Sequence, residues 1–251
     1  MNAIKFFSII FLGGCLFSGL VISGWSSETV DNSLYEELLK RYVKNGVVNY
    51  QGFKSEEPNL DEYLKVLEHT DIKNLSRDEQ FAFYVNAYNA WTIKLVLSAY
   101  PGLKSIKDLG NIFKSPWEKK IVRVNGDVIT LDDVEHKILR AEFKDPRVHF
   151  AVNCASKSCP PLISTPYRGS TLSQQLDGST RAFVNDPKSN YLKGNKLYVS
   201  KIFKWFPEDF NDDIIGFVVQ YAEGDFKREL EAKKDSIKIT YLYYDWSLNG
   251  K

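Results

Sequence analysis

At 251 residues, with 33 Lys+Arg against 32 Asp+Glu and a formal net charge of +1, the chain suffices for one domain with a full core. Its charge balance leaves no basic footprint for nucleic acid, so no nucleic-acid partner is expected. An aromatic content of 14% excludes a disordered chain.

Lys5 precedes a run from Phe6 to Ser23 without a charged residue, closed by Ser26-Ser27-Glu28. Residues 1–24 read as a secretory signal cut near Ser23 to Ser27, which implies an exported protein of the periplasm or cell envelope. Two alternatives stay open. One is an uncleaved N-terminal membrane anchor, for which the run is about long enough; this is the one membrane attachment expected. The other is a lipoprotein box at Leu12-Gly13-Gly14-Cys15. Cleavage removes Lys5 and no acid, leaving a neutral chain with two cysteines, Cys154 and Cys159. That is too few for a disulfide scaffold, although an oxidising compartment allows the two to pair.

Residues 28–70 read as a helical lead-in that packs on the body. Leu34, Leu38, Leu39, Tyr42 and Val43 share one helical face, and Leu60, Tyr63, Leu64 and Leu67 another. The domain proper is expected over 71–250. Ser76-Arg77-Asp78-Glu79 is a capping box, opening a helix that runs to Pro101 and is apolar nearly all round, hence central and buried. Asn86 and Asn89 lie on one face of it. Buried amides need partners, so they either bond neighbouring loops or face a site.

Asn125-Gly126 predicts a hairpin between Lys120–Val124 and Asp127–Thr130. Thr130 to Asp133 caps a short helix carrying Glu135 and His136. Val148 to Asn153 reads as a strand that delivers Cys154 into small residues, followed by Cys159-Pro160-Pro161. A helix over Thr171–Asn185, a hairpin at Gly194-Asn195, an apolar helix over Asp213–Tyr221 and a last strand over Ile237–Tyr244 follow. Trp205, Phe206 and Phe210 form an aromatic cluster, either core or binding surface. Together these predict a single α+β domain: a modest, mainly antiparallel sheet against a central buried helix, with a helical N-terminal lead-in.

The chemistry-bearing residues are few. Three histidines, His69, His136 and His149, stand in no metal-binding spacing, and no phosphate-cradling loop or serine-hydrolase elbow occurs; no metal and no cofactor are expected. A thiolate nucleophile needs a base and a group that orients it. Cys154 is the candidate nucleophile and His136, on the preceding element, the candidate base. His149 lies five residues before Cys154, about 16 Å along a strand. Glu118, Asn86 and Asn89 are candidate orienters of His136, and Asn86 or Asn89 a candidate oxyanion donor. The function expected is a cysteine-dependent hydrolase or acyltransferase acting on amide bonds of a peptide, cell-wall or protein substrate. The alternative is a non-enzymatic peptide- or protein-binding domain with an inert Cys154. A structural disulfide and a redox role for the cysteine pair also remain open.

Several segments in order resemble the DUF547 family, a domain of unknown function. They are Phe83-Tyr84-Val85-Asn86-Ala87-Tyr88-Asn89-Ala90, Val134-Glu135-His136-Lys137-Ile138-Leu139-Arg140, and His149-Phe150-Ala151-Val152-Asn153-Cys154. Ser158-Cys159-Pro160-Pro161, Lys204-Trp205-Phe206 with Asp209-Phe210, and Tyr244-Asp245-Trp246-Ser247 complete the set. The resemblance implies one compact α+β domain in which Asn86, Asn89, Glu135, His136, Arg140 and Cys154 occupy motif positions. It also implies that Cys159, commonly Ser in plant members, forms no obligatory disulfide, and that His149 is more variable than His136. Thiol chemistry of the papain or transglutaminase kind is the suspicion it raises, with the order of Cys and His reversed.

Overall fold

A computed structural model describes residues 29–250; the predicted signal over residues 1–24 lies outside them. Among the described residues no helix is long and apolar enough to cross a membrane. The central element is α4 (Arg77–Leu97), preceded by α1 (Ser33–Tyr42), the short ladder β1 (Val43–Lys44) with β2 (Val47–Val48), α2 (Tyr50–Ser55) and α3 (Glu57–His69). In α4, apolar side chains on every face, from Phe81 and Phe83 to Ile93 and Val96, are buried. Such a helix has no solvent face and must be surrounded. The lead-in helices surround one side of it: Tyr35, Leu38, Leu39, Leu60, Tyr63 and Leu67 join the same core as α4.

Ser76 caps α4 through its hydroxyl, which accepts from the Glu79 backbone N–H at 3.2 Å. The reciprocal half of the capping box is absent. The Glu79 carboxylate accepts instead from the backbone N–H groups of Gly169 (2.5 Å) and Val30 (3.4 Å). A buried carboxylate is stabilised by gathering donors, and here it ties two distant segments to the start of the helix.

The predicted hairpin at Asn125-Gly126 is β3 (Val122–Val124) with β4 (Asp127–Ile129), both turn residues having positive φ as such a turn requires. Next comes the helix Asp133–Phe143, closed by an exchange between Thr130 and Asp133, each backbone N–H donating to the other's side chain. This helix is wound as a π-helix, a form that occurs frequently at functional sites. Helix α5 (Leu172–Val184), β5 (Tyr191–Lys193), β6 (Lys196–Val199), α6 (Ile202–Trp205), α7 (Ile214–Tyr221), α8 (Gly224–Lys233) and β7 (Lys238–Tyr241) follow. The fold is α+β, a single domain. Its strands are distributed over three small sheets rather than one, two antiparallel hairpins and the mixed set β5-β6-β7, in which β7 runs parallel to β6.

A second, phenylalanine-rich core, with Phe150, Phe183, Phe203, Phe210 and Phe217, lies under β6 and α7. The last residues return across the molecule. Ser247 bridges Ser105, Leu248 bridges Ser156 and Gly250 bridges Val48, while the Tyr50 hydroxyl donates to Asn249 Oδ1 at 2.7 Å. Lead-in and C-terminal segment therefore meet on either side of the Cys154 loop.

Candidate active site

The segment before Cys154 is not a strand. Asp145 accepts from the Arg147 backbone N–H at 2.9 Å and Pro146 stands at the first helical position. Together they start a 3-10 turn over Pro146–Phe150, because proline's fixed φ is already helical. The apolar residues that suggested a strand, Val148, Phe150 and Val152, are buried within a turn. The separation argued for His149 and Cys154 falls with the strand, since a 3-10 turn rises only about 2 Å per residue; both residues line one cavity.

Asn89 suspends the next residues from α4. Its Nδ2 donates to the Ala151 carbonyl (2.9 Å), and its Oδ1 accepts from the Asn153 backbone N–H (2.8 Å). Asn86 holds Tyr167 in the same two-point manner, at 2.8 Å in both directions. Neither asparagine lines the cavity, and both amide nitrogens are committed to carbonyls, which corrects their expected roles as orienters or oxyanion donors. Asn153 continues the suspension. Its Nδ2 donates to the Pro160 carbonyl (2.8 Å) and its Oδ1 accepts from the Ala155 backbone N–H (3.0 Å). Ala155 is held at φ 60°, a left-handed conformation that costs a non-glycine residue about 1 kcal/mol. Cys154 thus stands between two fixed residues.

The Cys154 sulfur meets the Ser156 hydroxyl at 3.1 Å and the Tyr244 hydroxyl at 3.2 Å, and these two hydroxyls meet each other at 3.2 Å. With a thiolate at the corner of this triangle, both hydroxyls donate to sulfur. Burial pushes the Cys154 thiol up, but hydrogen bonds from Cys159, Ser156 and Tyr244 outweigh it and hold the group below the ordinary thiol value. Cys159 goes the other way, pushed well up by burial, then by its hydrogen bond with Cys154 and by the Cys154 charge. Both are free thiols. The Cys159 sulfur accepts the Cys154 backbone N–H at 2.8 Å, and its own S–H faces the Val152 carbonyl at 3.8 Å. Burial keeps Tyr244 protonated, its phenol well above the usual range.

Neither imidazole bonds this sulfur among the described residues. His136 Nδ1 lies 3.2 Å from an Arg140 guanidinium nitrogen. Arginine only donates, so Nδ1 accepts and the His136 proton is assigned to Nε2. Its lone pair is therefore committed, and His136 enters the cavity as a donor rather than as the expected base. Arg140 is itself immobilised by Asp209 (2.5 Å), by Glu208 (2.7 Å) and over the Phe206 ring (4.3 Å). His149 is 2% exposed at the side chain and donates from Nε2 to Asp209 at 2.6 Å while stacked on Phe206 at 4.5 Å. Burial raises the Asp209 carboxyl, and the bonds from His149 and Arg140 more than reverse this, bringing it to about 2. One carboxylate thus fixes both histidine positions, His149 directly and His136 through Arg140. Asp209 appears in the resembling segments, but its role was invisible until the π-helix brought Arg140 alongside.

Cys154, Cys159, His136, His149, Phe206 and Tyr244 line a cavity of about 190 Å³ together with Tyr88, Trp117, Trp205, Trp246, Asp132 and Glu135, whereas Arg140 and Asp209 stand behind its wall. Asp132 Oδ1 lies 3.9 Å from His136 Nε2. Burial raises the Asp132 carboxyl, opposed by His136 and assisted by Glu135, Glu118 and Asp133. Glu118, the remaining expected orienter, is exposed on a 3-10 turn, makes no hydrogen bond to His136 and does not line the cavity; its charge bears on Asp132. Among the described residues no three of the His, Cys, Asp and Glu side chains converge closely enough to hold a metal ion. Sequence reasoning missed Ser156, Tyr244 and Asp132, residue types too common to stand out before the loop and the C-terminal segment meet.

Fold and cavity together define an α+β domain built around a supported thiol in an aromatic pocket. Residues 72–184 match the model of a family described as "Protein of unknown function, DUF547", which supports the resemblance read from the sequence. The matched stretch carries the two asparagines, the π-helix and both cysteines. Asp209, Tyr244 and Trp246 lie beyond it. No curated protein and no solved structure matches the chain.

Proposed function

We propose that this is an exported, cysteine-dependent hydrolase or acyltransferase acting on amide bonds of a peptide, cell-wall or protein substrate. The observation that carries the reading is the Cys154 sulfur in the cavity wall, held by the Ser156 and Tyr244 hydroxyls in a way that favours the thiolate. The Cys154 thiolate attacks the carbonyl carbon, forming the S–C bond while the π pair moves to oxygen. His136 Nε2–H, its ring held through Nδ1 by Arg140 in the wall of the same cavity, stabilises that oxygen. Collapse expels the amine, which takes a proton from the Asp132 carboxyl, the cavity acid with a raised value. Water, or an acceptor amine, then gives its proton to Asp132 and attacks the thioester, and the C–S pair returns to sulfur.

p-Nitrophenyl acetate tests this on the full chain. The expected result is a single acetyl group on Cys154 by mass spectrometry, which decays by hydrolysis and is absent in Cys154→Ala. Acetylation confined to surface lysines, identical in Cys154→Ala, would overturn it. That outcome is the one the alternative demands, a peptide-binding domain whose thiol is inert until unfolding.

A further inference from the structure

The turn Gly110–Ser115 takes no part in the cavity, yet it is built with care. Asn111 Oδ1 accepts from the backbone N–H groups of Phe113 (2.8 Å) and Lys114 (2.9 Å), and the Asn111 N–H donates to the Lys114 carbonyl (3.0 Å). At its base a Cβ on Gly110 would lie 2.8 Å from both the Lys114 carbonyl oxygen and Pro116 Cδ, so the close approach requires glycine. This ordered turn displays Ile112 at 91% and Phe113 at 90% exposure, more than any other large apolar side chain among the described residues.

Lysines outnumber acids in the chain on either side of the apolar tip. Residues 104–120 contain Lys104, Lys107, Lys114, Lys119 and Lys120 against Asp108 and Glu118. The exposed Asp108 carboxylate accepts from the backbone N–H groups of Lys104 and Ser105. An apolar groove on a protein partner would be filled by Ile112 and Phe113 alone and gives no reason for the lysines. An interface of acyl chains under anionic headgroups uses both.

We infer that the turn Gly110–Ser115 docks on an anionic phospholipid surface, with Ile112 and Phe113 entering the acyl boundary and the flanking lysines meeting phosphate. This adds an attachment beyond the N-terminal run to which sequence reading confined it. The turn is coupled to the cavity on both sides. Trp117, on the 3-10 turn that follows, lines the cavity, and the Lys107 ammonium lies 3.9 Å over the ring of Trp246, another lining residue. Given the proposed function, the amide offered to Cys154 is one carried at the membrane face; the docking itself does not depend on that chemistry.

The test uses the full chain and vesicles of phosphatidylglycerol or phosphatidylcholine. A Phe113→Trp reporter is read as the difference in emission from the parent, so that the N-terminal run, common to both, cancels. The expected result is a blue shift and quenching by brominated acyl chains on phosphatidylglycerol alone, reversed by salt. The double substitution Ile112→Ser with Phe113→Ser is expected to weaken partition by about tenfold or more with an unchanged melting temperature and unchanged acetylation of Cys154. That pairing separates docking from chemistry. The inference is overturned if the Phe113→Trp emission stays that of water on phosphatidylglycerol vesicles, even where the chain sediments with them. It is equally overturned if the reporter becomes shielded without lipid as concentration rises, which would assign the tip to a second copy of the chain.

Discussion

The sulfur of Cys154 is more acidic than its burial alone allows because Cys159 and two hydroxyls, of Ser156 and Tyr244, stabilise its charge. Tyr244 and Ser156 face the sulfur and each other, so ionising the thiol frees both protons for one acceptor. A hydrogen bond to a charged group contributes about 1.5–3 kcal/mol, and one pKa unit corresponds to about 1.4 kcal/mol. Tyr244→Phe is therefore expected to raise the pH at which Cys154 reacts by about one unit, and Ser156→Ala by a similar amount, read from alkylation rates against pH. Asp209 is a second place where the sign of a charge effect can be worked out. Its carboxyl is depressed from an ordinary value near 4 to about 2, so its stabilisation is fully present above about pH 4 and is lost as the pH falls through about 2. Asp209→Asn is expected to cost about 2 kcal/mol near neutrality. In urea titrations the gap to the parent should close on acidification between those values.

The elements that position this chemistry are α4, the Pro146–Phe150 turn and the π-helix. The sequence announced α4 plainly through its cap and its all-round apolar composition, and the two hairpins through Asn-Gly and Gly-Asn. It announced the buried asparagines too, and in the structure they bond neighbouring loops. Asn89 clips the Ala151–Asn153 backbone to the central helix. Asn89→Ala would strand a buried carbonyl and a buried N–H, a loss of about 2–3 kcal/mol in chemical denaturation. The mobile loop left behind should also slow alkylation of Cys154. The apolar run over Val148–Asn153 suits a buried turn as well as a strand, and the Asp145-Pro146 pair before it is a helix-start signal that decides for the turn. The π-helix left no mark in the sequence: His136 and Arg140 are four apart in either winding, and their exchange of a hydrogen bond is a property of packing against Asp209.

At the scale of the whole molecule, the cavity is assembled from segments far apart in the chain. The π-helix and both cysteines come from the matched family region, Trp205 and Phe206 from beyond it, and Tyr244 and Trp246 from the last residues. Tyr244 is a donor to the thiol, and the strand of bridges from Ser247 to Gly250 closes the molecule against Ser105, Ser156 and Val48. Truncation before Tyr244 is expected to lower the melting temperature and to return Cys154 to the reactivity of an unassisted thiol. Such closure by long-range contacts is what a single sequence conceals. Local patterns define the elements, whereas residues 90 positions apart meet at the Cys154 sulfur.

The central claim is that Cys154 is a supported thiolate, and alkylation of the intact chain by iodoacetamide as a function of pH tests it most directly. The account predicts that Cys154 is labelled while the protein is folded, with a midpoint below that of an ordinary thiol. It predicts that Cys159 stays unlabelled until denaturant is added, and that Tyr244→Phe moves the Cys154 midpoint upward. Labelling of both cysteines only on unfolding, with no effect of Tyr244→Phe, would contradict it.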